Sequence, residues 1–101
     1  MKIITICGSL RFQQEMLEAA EKLELRGNCV LAPIYPVRRG ENAYTEEELS
    51  TLNAMHREKI RLSDAVFIVN VNGYIGSSTK SEIEFAKSLG KEVLYYAGGE
   101  E

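Results

Sequence analysis

The sequence predicts an α/β domain of three layers, a parallel sheet of strand order 2-1-3-4 with helices on both faces. Three observations carry this expectation. Strand-like and helix-like stretches alternate as βαβ, a loop, then αβαβ. The strand-like runs are apolar at successive positions, as in Ala65-Val66-Phe67-Ile68-Val69, so both of their faces should be covered. Right-handed crossovers and short connections make 2-1-3-4 the simplest order. That order puts a switch point between the first and third strands, where open α/β sheets bind ligands.

Lys2 to Cys7 is rich in Ile and Thr and ends at Gly8-Ser9, a first strand entering a tight turn. From Arg11 the spacing is helical, with Phe12, Met16, Leu17, Ala19, Ala20 and Leu23 on one face and Gly27 as the stop. Asn28 to Pro33 is a short second strand. Ile34 to Tyr44 carries Pro36, Gly40 and Asn42 without a sustained period and reads as a loop, of a length usually tied to function or mobility. Thr45-Glu46-Glu47-Glu48 offers a capping box for a second helix, whose Leu49, Leu52, His56, Ile60 and Ser63 have core-facing spacing. The third strand is Asp64 to Asn70, the third helix runs from about Thr79 to Leu89 before Gly90, and Lys91 to Tyr96 is the fourth strand. Residues 1–97 form one domain, and Gly98-Gly99-Glu100-Glu101 is a short tail.

Composition narrows the function classes. At 45% hydrophobic and 27% charged residues the chain is of ordinary globular type, with apolar runs too short for a membrane helix, so no membrane partner is expected. Met1 to Cys7 lacks the pattern of a signal peptide, and a cytoplasmic location is the expectation. The net charge is −3 and only Arg38-Arg39 are adjacent basic residues, which argues against duplex nucleic acid as a partner and leaves room for a single phosphate. Cys7 and Cys29 fall inside strands and read as buried reduced thiols. No His, Cys or acid cluster shows ligand spacing, so neither a metal nor another cofactor is expected.

The strand-to-helix loop at Asn72-Gly73-Tyr74-Ile75-Gly76-Ser77-Ser78 should open on the crevice, with Gly76, Ser77 and Ser78 offering backbone N–H groups to an anion or sugar. Glu82 follows in what should be the first helical turn, on the side shared by Phe85, Ala86 and Leu89, whereas Glu84 goes with Lys87 and Ser88. A carboxylate at the edge of an apolar face and over such a loop suits a nucleophile or a sugar ligand. Thr79-Lys80-Ser81-Glu82 equally fits a capping box, in which Glu82 only reaches back to the helix start. Gly8-Ser9-Leu10-Arg11 is either a plain turn with Ser9 as N-cap or a phosphate site, with N–H groups, a helix dipole and the forked cation of Arg11. His56, the single histidine, lies among Leu52, Met55 and Ile60 and is either a satisfied rim residue or a catalytic one. Tyr74 either stacks on a base or caps the core, and Tyr35 and Tyr44 flank a loop able to serve as a lid.

Together, Cys7-Gly8-Ser9-Leu10-Arg11, then Ser63-Asp64-Ala65-Val66, then Tyr74-Ile75-Gly76-Ser77-Ser78-Thr79-Lys80-Ser81-Glu82-Ile83-Glu84-Phe85-Ala86 and Gly90-Lys91 resemble the nucleoside 2-deoxyribosyltransferase-like superfamily, which includes the 2′-deoxynucleoside 5′-phosphate N-hydrolases. The resemblance covers nearly the whole chain and is densest from Asp64 to Val93. It implies a flavodoxin-like, Rossmann-like sheet, a homodimer or larger homo-oligomer, and a nucleotide or nucleoside substrate. It also implies that Glu82, four residues before Ala86, attacks the anomeric carbon, with water (hydrolase) or a second base (transferase) completing the turnover. Ser9 and Arg11 would then hold a 5′-phosphate, with Gly76 and Ser77 adding contacts. Two positions depart from the family: His56 stands where a sugar-positioning Asp is common, and Thr5 stands where transferases tend to have Tyr. His56 would hydrogen-bond a sugar hydroxyl or protonate the leaving base. The alternatives are a non-catalytic nucleotide sensor, in which Glu82 grips ribose, and a flavin-dependent NADPH reductase, whose phosphate turn Gly8-Ser9-Leu10-Arg11 also resembles although no flavin loop follows the third strand.

Overall fold

The computed structural model describes residues 1–97, and the expected tail at 98–101 lies outside them. Its strands are β1 (Ile3–Gly8), β2 (Cys29–Leu31), β3 (Ala65–Val69) and β4 (Glu92–Tyr95), and its helices are α1 (Gln13–Leu25), α2 (Glu46–Leu62) and α3 (Ser77–Ser88). All pairings are parallel and the order is β2-β1-β3-β4, as expected. The chain is thus a three-layer, flavodoxin-like α/β domain. Among the described residues no helix is long and apolar enough to cross a membrane.

Strand alternation sorts the core into two halves. Ile4 and Ile6 of β1 and Ala65 and Val69 of β3 pack with Met16, Ala19 and Leu23 of α1 on one face of the sheet. Cys7 of β1 and Val66 and Ile68 of β3 pack with Ile60 of α2 and Ile83 and Ala86 of α3 on the other. The end of α2 is tied to β1 through buried hydroxyls: Thr5 and Ser63 both donate to the Lys59 carbonyl, at 3.0 and 2.8 Å. Gly27 and Gly90 end α1 and α3 at positive φ, as their positions predict.

Several boundaries and faces differ from the expectation. A 3₁₀ turn at Leu10–Phe12 delays α1 to Gln13. β2 stops at Leu31, ahead of Pro33. Asp64 precedes β3, its N–H donating to the Ile3 carbonyl at 2.7 Å while its carboxylate accepts the Ile3 N–H at 2.8 Å. Leu17 is 45% exposed, because the apolar stripe of α1 is wider than the face the sheet covers. Cys29 is exposed on the edge strand β2, not buried. The capping box of α2 forms as expected between Thr45 and Glu48. The loop before it is strapped down, with the Tyr44 hydroxyl accepting from Val37 and Arg38 N–H and the Arg38 guanidinium paired with Glu48.

Ile60 is fully buried where α2 meets the sheet, so Ile60→Ala should lower unfolding free energy by about 2–5 kcal/mol, the range for deleting a buried aliphatic side chain. Urea denaturation checks this through a lower midpoint at an unchanged slope.

Candidate active site

The carboxyl ends of β1 and β3 lie side by side, with Gly8 paired to Val69. The chain leaves them through the turn at Ser9 and the turn before α3, and α2 runs over the α2/α3 face of the sheet. Between these parts is a cavity of about 520 Å³. Of the residues singled out in the sequence, Gly8, Ser9, Leu10, His56, Tyr74, Gly76, Ser77, Ser78 and Glu82 line it. Arg11 does not: its guanidinium lies 4.5 Å from the centroid of the Tyr74 ring.

The local backbone explains how α3 presents these groups. Gly76, in an extended conformation, is the N-cap of α3 and makes no side-chain cap hydrogen bond. The first intrahelical bond runs from Lys80 N–H to the Gly76 carbonyl, which leaves the N–H groups of Ser77, Ser78 and Thr79 for a ligand. The capping-box reading of Glu82 is therefore overturned, along with its placement in the first turn. Thr79 is a buried residue inside the helix, and Glu82 sits in the second turn, facing the cavity. Ser9 does act as a cap, accepting the Arg11 N–H at 3.4 Å, and also lines the cavity.

At the inner end of the cavity three elements bring three polar side chains together. Cys7 Sγ of β1 is 3.5 Å from His56 Nε2 of α2, which is 3.6 Å from Glu82 Oε1 of α3. The side chains of His56 and Glu82 are only 9% and 14% exposed, and Cys7 lies beneath them, buried. A pair of cation–aromatic contacts keeps α2 against α3: Arg57 donates to Ser81 Oγ at 2.7 Å, and Arg57 and Arg61 both stack on Phe85.

Burial sets the protonation of the cluster. The Glu82 carboxyl is pushed up from 4.5 to about 6 by desolvation, against the opposing effects of the Cys7 hydrogen bond and the Arg57 charge. His56 is pushed down from 6.5 to about 4 by desolvation, and Lys59 and Arg57 act in the same direction. The Cys7 thiol is raised by burial and then by the charge of Glu82 and a hydrogen bond to it. Near pH 7 the site therefore holds a mostly ionised carboxylate, a neutral imidazole and an undissociated thiol, so the His56–Glu82 contact is not an ion pair. His56 Nδ1 is buried and has no hydrogen-bond partner among the described residues. A bare lone pair there costs less than a stranded N–H, which favours the tautomer with the proton on Nε2, facing Glu82 and Cys7.

Cys7 is the buried reduced thiol that its strand predicts, but the sequence shows neither its meeting with His56 and Glu82 nor the face of α2 that closes the cavity. Leu49, Leu52, Asn53, His56 and Lys59 all line it, so part of the spacing that reads as core-facing faces a void, and Leu49 is 51% exposed. No metal-ligand spacing shows in the sequence, whereas the fold collects ligand atoms of Cys7, His56 and Glu82 within 4.8 Å of one another. The signal for Cys7 was strand parity: it shares a face with Thr5, opposite Ile4 and Ile6. The chain matches no protein-family model and no curated protein.

In metal-free protein the single histidine should titrate near pH 4, well below 6.5, in an NMR titration of its ring protons. Between about pH 6.5 and 4 the unfolded chain takes up a proton that folded His56 refuses, so His56 lowers stability as pH falls through that window. Glu82 acts oppositely between about pH 6 and 4.5, where the folded chain holds the proton more tightly.

Proposed function

We propose that the chain is a member of the nucleoside 2-deoxyribosyltransferase-like superfamily and cleaves the N-glycosidic bond of a (deoxy)nucleoside 5′-monophosphate. The observation that carries this is the position of Glu82, a largely buried carboxylate that stays mostly ionised at pH 7 and faces an open cavity between two turns rich in Gly and Ser. A cavity of about 520 Å³ is of the size that takes a small ligand.

In this reading a Glu82 oxygen forms a bond to the anomeric carbon as the C–N bond breaks and the base leaves with the bonding pair, taking up a proton from solvent in the open cavity. Water then attacks the glycosyl-Glu82 ester, releasing the sugar phosphate and restoring the carboxylate. The 5′-phosphate sits on Ser9 and on the free N–H groups at the start of α3, where the helix dipole favours an anion. Arg11 takes a lesser part than the sequence suggests, because it reaches the phosphate only by leaving the Tyr74 ring. Neutral His56 serves as a hydrogen-bond partner for a sugar hydroxyl. We extend the proposal to self-association, since Ile34, Leu49 and Met55 at the cavity mouth are exposed apolar side chains. Sedimentation of the purified protein should then give a dimer or larger assembly.

The decisive assay is base release from deoxynucleoside 5′-monophosphates and from unphosphorylated deoxynucleosides, with and without an acceptor base. Release from the monophosphates is expected, with Glu82→Gln lowering the rate about 10³-fold or more while nucleotide binding persists. Exchange restricted to unphosphorylated substrates would make the protein a transferase. Saturable binding without turnover would make it a nucleotide sensor.

A further inference from the structure

We propose that Cys7, His56 and Glu82 form a three-ligand site for a divalent cation of the zinc class, with its fourth position open to the cavity. The residues supply one thiolate, one imidazole nitrogen and one carboxylate oxygen, the donor types that zinc prefers. Three protein ligands and one open position is the arrangement of an exchangeable or reactive zinc site, as opposed to a closed structural one.

Geometry supports this. With bonds of about 2.3 Å to sulfur and about 2.0–2.1 Å to nitrogen and oxygen, a tetrahedral site has ligand-to-ligand edges of roughly 3.3–3.6 Å. The Cys7–His56 and His56–Glu82 separations are 3.5 and 3.6 Å, and all three ligand atoms lie within 4.8 Å of one another. The donors are held by β1, α2 and α3, so binding asks only for a side-chain adjustment that closes the Cys7–Glu82 edge, now within 4.8 Å, onto the ion. His56 and Glu82 line the cavity wall, which gives the ion an entry path and a place for a fourth ligand from solvent. The nearest cations are engaged elsewhere, Arg57 with Ser81 and Phe85 and Lys59 with the Ala32 carbonyl.

Binding is balanced in charge and protons. The Cys7 thiol loses its proton to solvent as the sulfur–metal bond forms, Glu82 binds as the carboxylate, and the imidazole proton moves from Nε2 to the buried Nδ1 as Nε2 takes the ion, a tautomer change whose cost the metal–nitrogen bond must offset; no electron is transferred. About one proton should therefore be released per ion bound near pH 7. Because the ion takes the Glu82 oxygen, it and a glycosyl group exclude one another; this consequence, unlike the binding itself, rests on the function proposed above.

The test uses the intact chain freed of metal and titrated with Co²⁺ as a spectroscopic stand-in for Zn²⁺, then with Zn²⁺ by calorimetry, in the absence of nucleotide. One equivalent of Co²⁺ should give a thiolate-to-cobalt charge-transfer band with tetrahedral ligand-field bands, and Zn²⁺ should displace it. Cys7→Ser should abolish the charge-transfer band, and His56→Gln should weaken Zn²⁺ binding about 100-fold or more. Cys29→Ser, which removes the exposed second thiol, should retain the band. A wild-type spectrum without the band overturns the site even where a variant fails to fold, as does a band lost in Cys29→Ser and kept in Cys7→Ser. The band together with no base release by the metal-free protein would sustain the metal site and sink the hydrolase, whereas base release by the metal-free protein without the band would do the reverse.

Discussion

The parallel ladder between β1 and β3 is the constraint on which the site depends. At its carboxyl end Gly8 pairs with Val69, and a Cβ at position 8 would lie 3.1 Å from the Val69 carbonyl oxygen and 3.3 Å from its Cβ. The strands come this close because residue 8 has no side chain. One residue earlier, alternation turns Cys7 toward α2 and α3, where it meets His56 and Glu82. A slip of one residue in this register would turn Cys7 toward α1 and empty the inner end of the cavity of its thiol.

Burying a carboxylate there is costly, and the surroundings offset the cost only in part. Glu82 lies in the second turn of α3, past the stretch where a helix dipole is strongest, so the favourable field at the start of α3 is left for a ligand. What stabilises its charge is the Cys7 hydrogen bond and the Arg57 charge, and burial still outweighs both. A carboxylate is held in such surroundings by the elements that carry it. The Arg57 and Arg61 stack on Phe85, with the Arg57 bond to Ser81, fixes α2 to α3 within one turn of Glu82.

The sheet order, the helices and their stops were legible because they follow from periodicity and from glycines at helix ends, both of which are local in sequence. The part of the cavity lining that the turns after β1 and β3 supply was legible too, since those turns converge for any chain of this topology. Three features were not. The start of α3 depends on the backbone conformation of Gly76, which a sequence does not specify, and with it went the choice between a capping and a cavity-facing Glu82. Arg11 has a free guanidinium in the sequence and an aromatic partner in space. The Cys7–His56–Glu82 cluster joins residues from three elements far apart along the chain, beyond any spacing rule for ligands.

The identity of residue 56 decides how the carboxylate behaves. An acid at this position, 3.6 Å from Glu82, would place two like charges in a poorly solvated site where both cannot ionise at once. Glu82, already raised to about 6 by burial, would then rise further and lose its charge near pH 7 unless other groups compensated. A protonated histidine would err the other way, pairing with the carboxylate and blunting it. His56 avoids both, because burial and the charges of Lys59 and Arg57 hold it neutral. It can donate through Nε2 without competing for the negative charge, so a single neutral ring leaves Glu82 ionised, partly desolvated and facing the cavity.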